Sequence, residues 1–310
     1  CLSASRAIRA FVPPARRSEL ASVFCSRCLA VAGGGSMGGM GAMFGGMGGG
    51  GGGGPGGKKK SRVKFKRPAE KPLHAASKKG YVDALRALLA DGALSQTQLD
   101  ERDTRDFTAL TWACRAGELP VVQILLEAGA SISGGADVDE DAVAPLLAAA
   151  AAGHADIVAF LLDNGAPLDV TDAILEHTAL HRAVDGGAKC RAVVDALLAR
   201  PDCKAAMLDA QDSSGFTPLC VAAATGNLEL CNVLLAEGAC TTAVAEKGDT
   251  VLSVACKHKQ PEIVRRLLEP SAGASVDPKA IYETLKSGDA AVRAVIVEAA
   301  AGEVGAAVPE

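Results

Sequence analysis

Residues 212–239 read DSSGFTPLCVAAATGNLELCNVLLAEGA. Asp212, Ser213, Ser214 and Gly215 supply turn chemistry, with glycine free to take the positive φ of a tight reversal. Thr217 and Pro218 open a helix, because threonine suits the N-cap and proline at the first helical position loses no useful N–H. Leu219, Ala222 and Ala223 give that helix an apolar, small-residue side, and Gly226 stops it. A second helix follows, with Leu230, Cys231, Leu234 and Leu235 at helical spacing, and Gly238 ends it. Two short antiparallel helices sharing one apolar side cannot bury it alone.

The same pattern recurs along the chain. TALTWACRAG (108–117), APLLAAAAAG (144–153) and TALHRAVDGG (178–187) each lead to a Leu pair, at 125–126, 161–162 and 197–198. PLHAASKKG (72–80) and TVLSVACKHK (250–259) stand at the two ends. The closing positions 80, 117, 153, 187, 226 and 259 are 37, 36, 34, 39 and 33 residues apart. This pattern resembles the ankyrin repeat, with its T-P-L-H-x-A core and a period of about 33 residues. The resemblance covers about three quarters of the chain. It implies an all-α fold, an ankyrin repeat solenoid of six repeats, preceded by a disordered N-terminal tail. Asp277 and Pro278 supply a further cap, and offsets counted from Gly288 place Ile281, Ile296 and Val297 at core positions of a degenerate C-terminal capping unit.

Composition agrees with thin, closely packed helices: 49% of the 310 residues are hydrophobic but only 3% aromatic. No apolar run approaches the roughly 20 residues that span a bilayer. The ten cysteines are scattered, with Cys114, Cys220, Cys231 and Cys256 at repeat positions, and read as small buried or half-buried thiols in a reducing compartment. Residues 1–71 carry 13 Lys and Arg against Glu19 and Glu70, whereas residues 72–310 carry 19 against 34 acids. The body is acidic and the arm before it basic.

Residues 1–36 start at Cys1 and read either as a transit-like leader, on Arg6, Arg9, Arg16, Arg17 and Arg27, or as sequence ahead of a start at Met37. Residues 37–57 form a glycine-rich flexible tether. Residues 58–71, KKKSRVKFKRPAEK, form a basic linker, read as a nuclear import signal, an anionic-polymer patch or a solvated run. The repeat domain is expected over 72–301, with a tail over 302–310.

Several decoys fail on inspection. Residues 52–59 imitate a phosphate loop, but Lys59 stands where Ser or Thr must hold magnesium. Cys25 and Cys28 form a lone CxxC, and Asp137, Asp139 and Asp141 lack the turn glycine and closing Glu of a calcium loop. His177 precedes a helix cap and His181 occupies the repeat's structural histidine, so no metal or cofactor is expected. No nucleophile motif occurs, and the chain reads as non-enzymatic.

The resemblance implies binding through turn tips and the exposed face of each first helix. Those positions are Thr104, Arg105 and Phe107 on the first finger, with Arg115 behind it, and Asp137, Asp139, Glu140 and Asp141 on the second. They continue with Asp185 in the fourth unit, Ser213, Ser214, Phe216 and Thr225 in the fifth, and Lys247, Asp249 and His258 in the sixth. Phe107 and Phe216 read as the best contact residues, and Trp112 as packing between units. Asp100, Glu101, Asp103 and Asp106 beside the second finger's acids suggest docking of a basic segment. The expectation is a monomeric scaffold binding a protein partner, with nucleic acid disfavoured, in the cytoplasm or nucleus, or in an organelle if the leader is real. A regulatory ankyrin piece of a larger enzyme or channel is the alternative. The long connection 199–211 in the irregular fourth unit reads as the weakest junction.

Overall fold

In the computed structural model, residues 71–90, 94–135, 143–274 and 276–306 are described. The caps form as the residue types dictate. Thr108, Thr178, Thr217 and Thr250 accept the amides of Thr111, His181, Cys220 and Ser253, and Asp277 accepts that of Ala280. Gly117, Gly153, Gly226 and Gly288 close their helices in the left-handed conformation. Lys259 adopts it as well, at φ 58°, where the sixth unit lacks its glycine.

An inner row of helices results: α1 (Pro72–Lys78), α4 (Ala109–Ala116), α6 (Pro145–Ala152), α8 (Ala179–Asp185), α11 (Pro218–Thr225), α13 (Val251–Lys257) and α15 (Pro278–Ser287). Each packs on the next without interruption. The outer row comprises α2 (Val82–Ala90), α5 (Leu119–Glu127), α7 (Ala155–Asp163), α9 (Arg191–Leu198), α12 (Leu228–Ala236), α14 (Pro261–Leu267) and α16 (Ala290–Ala306). Short α3 (Gln96–Leu99) and α10 (Pro201–Met207) lie in connections. Among the described residues the only β pairing is an isolated bridge between Val244 and Thr250.

The core runs the length of the array as one apolar seam. Leu85, Leu125, Leu161, Leu197 and Leu234 of the outer row are fully buried, as are the small inner residues Ala113, Cys114, Ala149, Ala150, Ala222, Ala223, Ala255 and Cys256. Truncating one such leucine to alanine would cost about 2–5 kcal/mol.

Polar links tie each unit to the next. The Thr111 hydroxyl donates to the Val143 carbonyl, and the His181 Nε2–H to the Phe216 carbonyl, at 3.1 and 3.0 Å. His181 Nδ1 accepts from Thr178, so the ring must stay neutral to keep both bonds. Burial, and then neighbouring His177, hold its pKa down at about 4. His177 stacks on that ring and reaches Asp212 at 3.3 Å, and Arg182 pairs with Asp172 at 3.1 Å. Burial alone would raise the pKa of Asp212, but hydrogen bonds from His177 and the Phe216 and Ser214 amides hold it below the ordinary value.

One region adds a helix to the sequence expectation and another departs from it. The connection 199–211 contains α10, with Cys203 and Met207 fully buried. It is pinned on both sides, by Arg200 to Asp163 at 2.5 Å and by Lys204 to Glu237 at 2.7 Å. The C-terminal helix pair forms, but in another register. Ala280 and Thr284 face inward, whereas Ile281 is 45% and Val297 61% exposed. Only Ile296 of the three expected core residues is buried. The helix of this unit has ten residues where the fifth has eight, so counting back from its glycine lands on the outer side.

A methyl group at Gly215, φ 80°, would lie 2.9 Å from backbone atoms of Ala245 and Glu246, whereas at Gly248, φ 74°, it meets nothing within 4 Å. Gly248→Ala should therefore cost about 1 kcal/mol and Gly215→Ala at least about twice that, read as urea midpoints of the full chain. The His181 contribution runs opposite to that of a histidine held charged in a salt bridge. The unfolded imidazole gains its proton near pH 6.5 and the folded one near 4. Its stabilisation is whole above pH 6.5 and falls by up to about 3 kcal/mol as the pH drops towards 4. His181→Gln should flatten the urea midpoint across that window, and an unchanged slope would refute the assignment.

Candidate recognition surface

The first two units concentrate charge and aromatic surface on one patch. Lys78 and Arg115 each lie two residues before the closing glycine of their unit, so α1 and α4 present them side by side. Trp112, on the same helix as Arg115, is only 5% exposed. Its Nε1–H donates to Asp103 at 2.9 Å, and Phe107 meets its ring edge-on with centroids 5.0 Å apart. Lys78 Nζ stands 4.6 Å from the indole centroid, and the guanidinium carbons of Arg105 and Arg115 stand 5.5 and 5.8 Å from it. Arg115 also lies 5.5 Å from the Phe107 ring. Burial, and then the charge of Arg105, lower the pKa of Arg115.

The first finger's carboxylates are engaged within the fold. Asp100 accepts the Ser131 amide at 2.8 Å, and Asp103 accepts the Arg105 and Phe107 amides as well as Trp112. Glu101 pairs with Lys71, the last residue of the basic linker, at 2.6 Å. Of the acidic docking surface expected from the sequence, Asp100 and Asp103 are thus taken up by internal hydrogen bonds, while Glu101 stays exposed beside Lys71. Asp137, Asp139, Glu140 and Asp141 lie outside the described residues.

The remaining expected positions divide. Thr104, Arg105, Ser213, Thr225, Lys247 and His258 are exposed, and Arg115, Asp185 and Ser214 are half-buried. Phe107 and Phe216 are half-buried rather than free, because the finger folds each ring back towards the helices. Asp249, expected at an exposed tip, is 4% exposed and pairs with Lys279 of the next unit at 3.3 Å. A carboxylate at that turn has the following helix pair above it, so it serves the stack. Sequence reasoning missed the part played by Lys78, although its shared register with Arg115 was there to be read. Trp112 packs between units as expected.

Six of the seven described cysteines are buried free thiols, and Cys240 is half-buried. Burial pushes Cys114 and Cys231 upward, the latter to about 12, so neither is a thiolate nucleophile at neutral pH. Among the described residues no group of three or more His, Cys, Asp and Glu is placed to hold a metal, and no helix is long and apolar enough to cross a membrane.

Comparison with known proteins agrees with this architecture. The family described as ankyrin repeats in three copies matches residues 57–135, 131–209 and 191–280. A Caenorhabditis elegans transient receptor potential cation channel subfamily A member 1 homolog is 30% identical over 200 residues, 64% of this chain and 15% of that protein. The Neurospora crassa ankyrin repeat protein nuc-2 is 28% identical over 211 residues, 66% of this chain and 18% of that protein. The chain thus spans under a fifth of either relative. Among solved structures, the human ASB11 ankyrin repeat domain superposes with a TM-score of 0.60 at 25% identity, covering 74% of this chain and 97% of that domain. With matched segments spanning most of its length and the helix pairs stacked in order, this chain belongs to the ankyrin repeat family.

Proposed function

We propose that this chain is a non-enzymatic scaffold that binds a protein partner through its finger tips and the exposed face of its inner helices. The supporting observation is the division of labour within each unit. Apolar sides are sealed by neighbouring units, while Thr104, Arg105, Ser213 and Lys247 stay exposed on successive tips. A row of rigidly held, chemically varied tips is suited to recognition. The reading places the protein as a monomer in the cytoplasm, with the basic run before residue 71 as the reason to expect nuclear entry. The expected basic partner segment rests on residues 137–141, together with Glu101 and Asp106 of the first finger. A second reading, a regulatory ankyrin portion of a larger channel or enzyme, draws on the likeness to the nematode channel homolog.

The test is site-resolved crosslinking. A photoreactive residue replacing Ser213 or Thr104 in the full chain should capture the partner at least about fivefold more efficiently than one replacing Glu262 on the outer row. Equal capture from both sides, read by mass spectrometry of the adducts, would overturn the assignment.

A further inference from the structure

We infer that Lys78, Arg105 and Arg115, gathered around Trp112 and Phe107, form a recognition site for carboxylate side chains of an acidic peptide segment. This deepens the scaffold reading by naming the partner chemistry of its first two units, and rests on that reading.

Three cations approach one indole within 4.6–5.8 Å. Each gains about 0.5–1 kcal/mol from the ring face, but their mutual repulsion opposes the gathering, and Arg115 already feels Arg105. Arg105 and Arg115 make no ion pair among the described residues. Two carboxylates of the finger are already engaged: Asp103 accepts two amides and the indole N–H, and Glu101 pairs with Lys71. An incoming anion would relieve the repulsion, and two guanidinium groups offer forked donors matched to carboxylate geometry.

The surroundings favour a short peptide over a long polyanion. The inner-helix positions two residues before the closing residue run Lys78, Arg115, Ala151, Asp185, Ala224 and Lys257, so three small or acidic residues separate the positive pair from the next cation. Residues 72–310 carry 34 acids against 19 Lys and Arg, a field that opposes any polyanion and opposes it more the further it extends beyond the cation cluster. The open part of half-buried Phe107 beside the cations gives methylene groups of Glu side chains an apolar rest.

Trp112 is the only tryptophan, so its fluorescence reports on the site directly. The full chain is titrated with a hexaglutamate peptide, with inorganic phosphate, with hexalysine and with a dodecathymidylate strand. Hexaglutamate should give a saturable change that weakens at least fivefold between low and 0.3 M salt, with phosphate weaker and hexalysine silent. Arg105→Gln with Arg115→Gln should weaken hexaglutamate at least tenfold. Arg105→Lys with Arg115→Lys, which keeps the charge and controls for folding, should stay within about fivefold. Lys257→Gln with Lys286→Gln removes as much charge at the far end and should leave binding within twofold. The inference is overturned if hexaglutamate gives no Trp112 change, if only the nucleic acid does, or if the far-end pair weakens binding as much as the Arg pair. If tip crosslinking captures a partner while hexaglutamate is silent, this inference fails and the scaffold reading stands.

Discussion

The structure depends on sideways burial of small residues. Neither helix of a unit has enough apolar surface to be stable alone, and what seals Ala222 and Ala223 is the pair before and the pair after. Alanine and cysteine at these places bring inner helices close enough for a threonine or histidine on one unit to reach a carbonyl on the next. Larger side chains would part the helices and break those bonds with the same displacement. Packing and hydrogen bonding are thus one constraint, which explains why hydrophobic content is high while aromatic content is low.

Much of this was legible in residues 212–239, because threonine caps, first-turn prolines and closing glycines are local devices whose effect hardly depends on the rest of the chain. Legibility failed where a residue's fate is decided by a neighbour distant in sequence. Asp249 resembles any turn carboxylate until Lys279 is seen beside it. Ile281 was assigned to the core by counting from a glycine, and two added residues turned it outward. The connection 199–211 lacks a repeat signature, yet Cys203 and Met207 four apart form a one-sided apolar face long enough for two helical turns.

The recognition surface was harder still. Its expected positions came from the architecture, and most tips are where the architecture puts them. The chemistry differs, because Asp103 folds back to cap its own turn and Asp100 reaches the Ser131 amide, while cations from two units converge on one indole. A count of charges over a segment cannot register that difference, since it records neither which groups already have donors nor which face they share.

The helix at Pro201–Met207 bears on how such a chain tolerates change in length. It adds residues beside the outer row and leaves α8 packed directly on α11, so the inner row continues unbroken across the longest unit. Growth is absorbed on the back of the molecule while the front keeps its ruling. A lineage, or an engineer, could lengthen that connection or attach a label there without moving any two tips relative to one another.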